Sequence, residues 1–484
     1  KPFATQRMIL KDHKLLFTMV SIAMVCYGCS STALVKRTEN RTVPASYSGS
    51  TDSTNTSSVK WKAYFNDPYL NVLIDSALSN NQELNIMLQE IRTAQYEVKA
   101  RKGEYLPFIG ALGSAEVDKV GRYTSKGSSE ATTDIMPDVE TPEPLPDYMI
   151  GLYAKWEVDV WGKLRNAKKA AYCRYLGTVE GKNFMVTNLV AEISNSYYEL
   201  LALDNQLLIV QQNIEIQSGA LSIVRQQKQA TRVTELAVRR FEAEVFHTRS
   251  MQFEIQQQIT EMENHLNFLV GRFPGPIQRN AQTFSSLKPD TVLAGLPAQL
   301  LANRPDIRQA EQELTATKLD VKSARARFYP SVGLSAGVGF RAFDPEYLFT
   351  TPQSLIFNVA GDLVAPLINR NAIKAAYYTA NAKQVQAVYD YERTILNAYV
   401  EVANQVSNIG NLNKSYALRA QRVQALQESI TISNSLFLSA RADYMEVLLT
   451  QRDALDSRFE LVETQKLRLN AKVNVYRALG GGWR

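Results

Sequence analysis

Side chains able to do covalent or metal chemistry are few in these 484 residues. Histidine occurs at His13, His247 and His265, and cysteine at Cys26, Cys29 and Cys173. His247 and His265 stand 18 positions apart, five helical turns, so they can share a helix face but not a metal ion. Met251 and Met262 lack the close pairing of a soft-metal path. Three cysteines make no disulfide framework. There is no phosphate-cradling glycine loop and no nucleophile–base pair. Asp306 follows Pro305 at a helix start, where it balances the helix dipole rather than serving a substrate. The net charge of +6, with no basic run interleaved with aromatics, gives no support to a nucleic-acid partner. The expectation is no enzyme, no metal and no cofactor, so function has to come from the elements themselves.

The N-terminus carries an address. Lys11 and Lys14 precede a charge-free, mostly apolar run from Leu15 to Val25, the pattern of a secretory signal, and Met8 is the expected start of translation. The run is too short for a comfortable membrane anchor. Gly28 before Cys29 resembles a bacterial lipobox, although Cys26 stands where leucine is usual. Residues 1–28 are therefore expected to be cut away and Cys29 acylated, with Ser30 resembling an outer-membrane sorting signal. The alternative is a plain signal peptide cut nearby. Residues 29–60, rich in Ser, Thr and Asn, are expected to form a polar tether.

The rest of the chain is written twice, as residues 61–275 and 276–484. Laying "RKGEYLPFIGALGSAEV" (101–117) over "ARARFYPSVGLSAGVGF" (324–340) brings Pro107 onto Pro330, Lys99 onto Lys322 and Glu90 onto Glu313, each 223 positions on. Laying "LNFLVG" (266–271) over "VYRALG" (475–480) brings Gly271 onto Gly480 and Glu192 onto Glu401, 209 positions on. The first copy thus carries an extra 14 residues, between Val117 and Tyr148. Each copy reads helix, strand, loop, strand, long helix, turn, helix.

The strands are two-faced. Ile109, Ala111, Gly113, Ala115 and Val117 alternate with other residues, as do Val332, Leu334, Ala336, Val338 and Phe340. In "GLYAKWEVDVWGK" (151–163), Leu152, Ala154, Trp156, Val158 and Val160 alternate with Tyr153, Lys155, Glu157 and Asp159. This predicts hairpins over 107–161 and 330–366, closed by strands at 151–161 and about 354–364. Strands of about ten residues suit a tilted membrane crossing. No proline interrupts the chain between Trp161 and Pro274, or after Pro366. A helix over 163–228 would be roughly 100 Å long. Leu200, Leu203, Leu207, Val210, Ile214, Leu221 and Val224 form a coiled-coil-like seam on it. The second copy repeats the seam with Ile409, Leu412, Tyr416, Val423 and Ile430, interrupted at Arg419 and Ser433.

Four strands leave open edges, which lipid does not tolerate. Two chains would make an eight-stranded barrel filled by its own side chains, whereas three give twelve strands and a passage. Periodicity thus predicts an α+β membrane protein, an oligomeric β-barrel with four strands per chain carried on a long α-helical coiled coil. Its apolar face meets lipid, and Lys155, Glu157 and Asp159 line the lumen. A trimeric coiled-coil adhesin is the reading from another class, but it needs no pair of hairpins per chain.

"LPAQLLANRPDIRQAEQEL" (296–314), "RARFYPSVGLSAGVGF" (325–340) and "WEVDVWGKLRNA" (156–167) resemble the TolC-like outer-membrane efflux proteins. The likeness covers about 61–484. Arg304-Pro305-Asp306-Ile307, followed by "FYPS", is similar to the lipoprotein branch serving resistance–nodulation–division (RND) pumps. The resemblance implies a homotrimer in outer-membrane lipid, a trimeric twelve-stranded β-barrel on a long α-helical coiled-coil periplasmic tunnel, docked on a periplasmic adaptor and an inner-membrane RND transporter. It implies a passive exit duct for small toxic compounds and drugs, with an export duct for proteins or peptides in type I secretion as runner-up. Charged residues at the helix tips narrow the tunnel in that family. Arg441, Asp443 and Glu446 match them here, with Arg232 and Glu235 in the first copy. Thr231 and Ala440 stand where the family often has glycine, and Leu449 where a second acid sometimes stands.

Overall fold

The computed structural model describes residues 34–47, 53–287, 293–439 and 441–483. The expected signal segment and Cys29 lie outside the described residues. Helix α1 (Pro68–Asn80) starts at Asp67, whose carboxylate accepts hydrogen bonds from the Tyr69 and Leu70 amides at 2.9 and 3.2 Å. Pro68 occupies its first turn, and Leu70, Leu73, Ile74 and Ala77 bury its inner face. Then follow α2 (Gln82–Tyr105), β1 (Phe108–Asp118), β2 (Leu145–Val158), α3 (Lys163–Gln229) and α4 (Glu235–Val270). The second half runs α5 (Pro305–Ala326), β3 (Ser331–Ala342), β4 (Leu355–Val364), α6 (Asn371–Leu438) and α7 (Tyr444–Ala478). No helix among the described residues is long and apolar enough to cross a membrane.

The strands form one antiparallel sheet in the order β1-β2-β3-β4, so the two hairpins join through β2 and β3. The closing strand of the first hairpin starts earlier and ends sooner than the expected 151–161: pairing with β1 begins at Leu145, opposite Asp118, and stops at Lys155. The loop between β1 and β2 is not featureless. It holds a short helix, Ser125–Glu130, capped by the Thr124 hydroxyl, and a two-stranded ribbon of Asp134–Met136 with Val139–Glu140.

The compact units do not coincide with the sequence repeats. One takes Arg92–Leu176 and Gln312–Tyr389; the other takes Glu39–Ile91, Gly177–Glu311 and Asp390–Arg484. Each draws on both halves, because the sheet needs a hairpin from each. In the second unit the largest core cluster gathers Leu70 and Ile74 of α1, Ile193, Tyr197 and Leu201 of α3, Leu266 of α4 and Tyr476 of α7. The Tyr64 ring stacks on Tyr476 at 4.2 Å and its hydroxyl donates to the Lys472 carbonyl at 2.8 Å.

The stretch expected to be a free tether is partly docked. The Asn40 amide donates to Glu392 at 2.9 Å, Arg41 pairs with Glu311 at 2.9 Å, and Tyr47 stacks on Tyr399 at 5.3 Å. Composition signalled solubility there, while α5 and α6 supply carboxylate and aromatic partners that composition does not register.

Candidate functional site: sheet faces and helix turns

Register sorts the sheet into two surfaces. Ala111, Leu152, Val338 and Phe357 form one cross-strand row; Ile109, Ala154, Ala336 and Val359 form the next. Trp156, Leu334 and Gly361 continue the same face. It is apolar in every strand yet uncovered: Phe357 is 79% exposed and Val359 82%. A contiguous apolar surface of this kind marks a lipid or protein contact. On the other face Phe108, Lys155, Ser335 and Ala360 share a row, and Glu157 lies opposite Gly333, itself opposite Asp362. Arg341 bridges to Asp147 at 2.9 Å on this polar side. The Tyr153 ring lies over Gly110, where a Cβ would come within 2.8 Å of it, so a side chain there would displace that ring. The outer edges of β1 and β4 have no neighbouring strand among the described residues.

Of the three expected lumen residues, two lie on the polar face. Lys155 sits with its ammonium 5.7 Å from the Tyr153 ring centroid, and Glu157 pairs with Lys163 at 2.5 Å. Asp159 does not. The strand ends at Val158, and the Asp159 carboxylate turns back to accept from the Leu164 and Arg165 amides at 3.1 and 2.8 Å. Its side chain is 2% exposed and also binds the Arg165 guanidinium. Asp159 thus satisfies the orphan donors at the start of α3. Alternation carried one step past the strand end put it on the wrong surface.

The first helical turn joins α3 to α4. The Arg232 amide donates to the Gln227 carbonyl at 2.9 Å, closing α3 across Thr231, which is left-handed at φ 56°. Thr234 caps α4, and Glu235 follows in its first turn. Glu235 pairs with Lys228 and, at 2.8 Å, with Arg239; the Lys228 hydrogen bond holds its carboxyl below the usual range. In the second turn the Arg441 amide donates to the Leu436 carbonyl at 2.8 Å. Asp443 occupies the cap position of α7, but its carboxylate makes no capping bond. Arg232 and Asp443 line one cavity of about 310 Å³ together with Phe437 and Tyr444. Arg441, Glu446 and Glu235 are not among its lining residues. Arg232, Arg441, Asp443 and Glu446 make no ion pair among the described residues.

One polar centre went unread in the sequence beyond its dipole role. Arg304 is 6% exposed. It binds Asp306 at 2.7 and 3.0 Å, Glu401 at 2.8 Å and the Ala478 carbonyl at 2.6 Å. Burial pulls its proton affinity down, but Asp306 and Glu401 more than offset that, leaving it above its ordinary value. The signal available was the arginine two residues before a helix-starting aspartate; its other partners are more than 90 residues away in sequence.

Against known proteins, the family described as outer membrane efflux protein matches residues 73–272 and 296–481. The pyoverdine export outer membrane protein OpmQ of Pseudomonas aeruginosa is 29% identical over 427 residues, covering 87% of each chain. The cation efflux system protein CusC of Escherichia coli O6:H1 is 27% identical, covering 87% of this chain and 88% of its own. A probable outer membrane lipoprotein of Salmonella typhimurium, SilC, is 24% identical, covering 97% and 99%. A crystal structure of CusC superimposes with a TM-score of 0.82 at 25% identity, over 93% of this chain and 99% of that one. The open state of the Neisseria gonorrhoeae MtrE outer membrane channel, at 21% identity, shares the fold with a TM-score of 0.80, over 94% and 99%.

Proposed function

The chain belongs to the outer membrane efflux protein family, and from that premise we propose that it is the passive exit duct of a tripartite pump, with no chemistry of its own. Three copies complete a twelve-stranded barrel, since each sheet has two open edges and one wholly apolar face. That two-faced, open-edged sheet running into helices of 67 and 68 residues is the observation that carries the reading. The apolar face meets outer-membrane lipid, while Lys155 and Glu157 face the passage. A periplasmic adaptor and an inner-membrane RND transporter supply cargo and energy. Cys29 is acylated; the name of the Salmonella relative as a lipoprotein supports this. Relatives are named for pyoverdine export and for cation efflux, so the pump rather than the duct selects the small molecules carried.

The helix turns form the gate at the periplasmic end. Their charges support this: Arg232, Arg441, Asp443 and Glu446 make no ion pair among the described residues, which suits contacts between chains. Glu235, engaged by Lys228 and Arg239, stiffens the first turn. Exposed pairs of this kind contribute about 1 kcal/mol or less each, enough to bias an iris without locking it. Asp443→Ala with Glu446→Ala is expected to raise single-channel conductance in planar bilayers severalfold. An unchanged conductance removes these residues from the gate. Deleting the gene should raise accumulation of dyes and drugs; unchanged accumulation across a broad panel argues against efflux.

A further inference from the structure

In the unit that holds the sheet, each strand runs into a helix: α2 into β1, β2 into α3, α5 into β3, and β4 into α6. The acids on these helix segments gather on one side, where cations join them. A cavity of about 620 Å³ among the helices is lined by Glu97, Arg101, Arg174 and Asp320, among others. The acids there are engaged: Arg101 holds Glu97 at 2.9 Å and Glu104 at 3.0 Å, and Arg174 holds Asp320 and, at 3.3 Å, Glu313. At 100° per residue, Lys99, Lys102, Arg165, Lys322, Arg325 and Lys374 fall on faces turned away from that cavity. No aspartate or glutamate occurs in 98–103, 160–179, 321–343 or 363–389.

The six cations form three pairs under the internal repeat. Lys99 meets Lys322 and Lys102 meets Arg325 at the 223-residue offset; Arg165 meets Lys374 at 209. They stand six to ten residues from the strand ends, about 9–15 Å at ~1.5 Å per residue. Apart from Arg165, which binds Asp159, none makes an ion pair among the described residues. Tyr96, Tyr172 and Tyr378 are exposed on the same side, and the Lys99 ammonium lies 5.0 Å from the Tyr96 ring centroid. Amphipathic rings beside cations, just past an apolar belt, match the chemistry of a membrane–water interface. The headgroup layer occupies roughly 5–8 Å on each side of the hydrocarbon, and long Lys and Arg side chains set in the turns beyond it can reach back to it.

We propose that this collar binds the phosphates of anionic phospholipids in the periplasm-facing leaflet of the outer membrane and so fixes the depth of the barrel. The proposal rests on the exit-duct reading. The repeat-paired cations argue for it, as do the nearby acids Glu97 and Asp320, which line the cavity instead; a neighbouring copy would need acids on the matching helix faces, and 98–103, 160–179, 321–343 and 363–389 hold none.

The test uses the full chain and the variant Lys99→Gln, Lys102→Gln, Lys322→Gln, Arg325→Gln and Lys374→Gln. Both are reconstituted in phosphatidylcholine vesicles with or without phosphatidylglycerol, and retained lipid is read by native mass spectrometry. A cation near an anionic surface contributes about fivefold in affinity, screened by salt. The unmodified chain should retain phosphatidylglycerol over phosphatidylcholine by more than about tenfold, less at high salt, and the variant should lose the preference. Equal retention by chain and variant overturns the proposal. So does displacement of the lipid by millimolar inorganic phosphate, which marks a free-anion site, or subunit dissociation in the variant, which marks a chain–chain contact. Bilayer conductance separates the premises: absent from the unmodified chain, it is the duct reading that fails.

Discussion

The same backbone junction is built twice, from different side chains. In the first copy Asn81 Nδ2 donates to the Leu269 carbonyl at 2.9 Å; in the second Arg304 Nη1 donates to the Ala478 carbonyl at 2.6 Å. Asn81 and Arg304 stand 223 apart, Leu269 and Ala478 209 apart, the offsets of the sequence repeat. Gly271 and Gly480 close α4 and end the chain's last helical turn at φ 81° and 84°. A Cβ on them would come within 2.5 and 2.7 Å of the Asn80 and Asn303 carbonyls. Close backbone approach at positive φ leaves only glycine at both. Around this shared geometry the polarity has drifted. Glu401 holds both Arg304 and Arg477, while among the described residues its counterpart Glu192 pairs with His265 alone, at 3.5 Å. The helix pairs differ likewise. Leu221 and Val224 of α3 pack on Val238 and Phe241 of α4, whereas Arg419 of α6 donates to Thr464 of α7 at 2.6 Å and Arg422 pairs with Glu460 at 3.0 Å. Duplication holds what the backbone cannot vary and releases the chemistry around it.

The largest expected consequence lies at the junctions. Arg304→Met strips Asp306 of its partner, leaves Glu401 with Arg477 alone, and should destabilise the chain by about 3 kcal/mol. Asn81→Ala loses one neutral hydrogen bond to Leu269 and the cap it gives the Leu84 amide at 2.9 Å. Its expected loss is about 1–2 kcal/mol. Denaturant midpoints of the detergent-solubilised chain, followed by circular dichroism, compare them directly. Equal losses would mean that the charge drift between the halves carries no energetic weight.

How far these features were legible in the sequence depends on their range. The strands, the long helices and the offsets follow from periodicity, because alternation at two and at 3.6 is a local signal. Thr231 at the family's glycine position pointed to the turn where the left-handed residue sits. Strand ends were not legible: Asp159 continues the alternation in type but leaves the sheet to serve α3. Nor was the docking of residues 34–47 legible, since polar composition describes solubility and says nothing of Glu311 or Tyr399 as partners. The Arg304 centre joins residues from three distant helices, a combination no local pattern encodes.

A smaller effect is expected at the first helical turn. Threonine at φ 56° is strained, because its branched Cβ crowds the following carbonyl. Thr231→Gly removes a strain of about 1–2 kcal/mol but frees the unfolded chain, for a net gain of roughly 0.5 kcal/mol. Hydrogen exchange should slow across 226–234 and stay unchanged at the second turn. Slowing at both turns would show that the two are coupled rather than independently closed.

The smallest effect concerns acid. Glu235 is clamped by Lys228 and Arg239, whereas Asp443 and Glu446 in the other turn have no such partner among the described residues. Because the Lys228 hydrogen bond lowers the folded-state pKa of Glu235, its contribution is fully present above the unfolded value and is lost as pH falls through the folded one. The first turn should therefore loosen as pH drops below about 4, seen as faster exchange at the start of α4. Glu235→Gln should abolish that acid response while leaving the second turn alone. Were the variant to loosen in acid as the unmodified chain does, the clamp would contribute nothing, and the two turns would differ in sequence but not in behaviour.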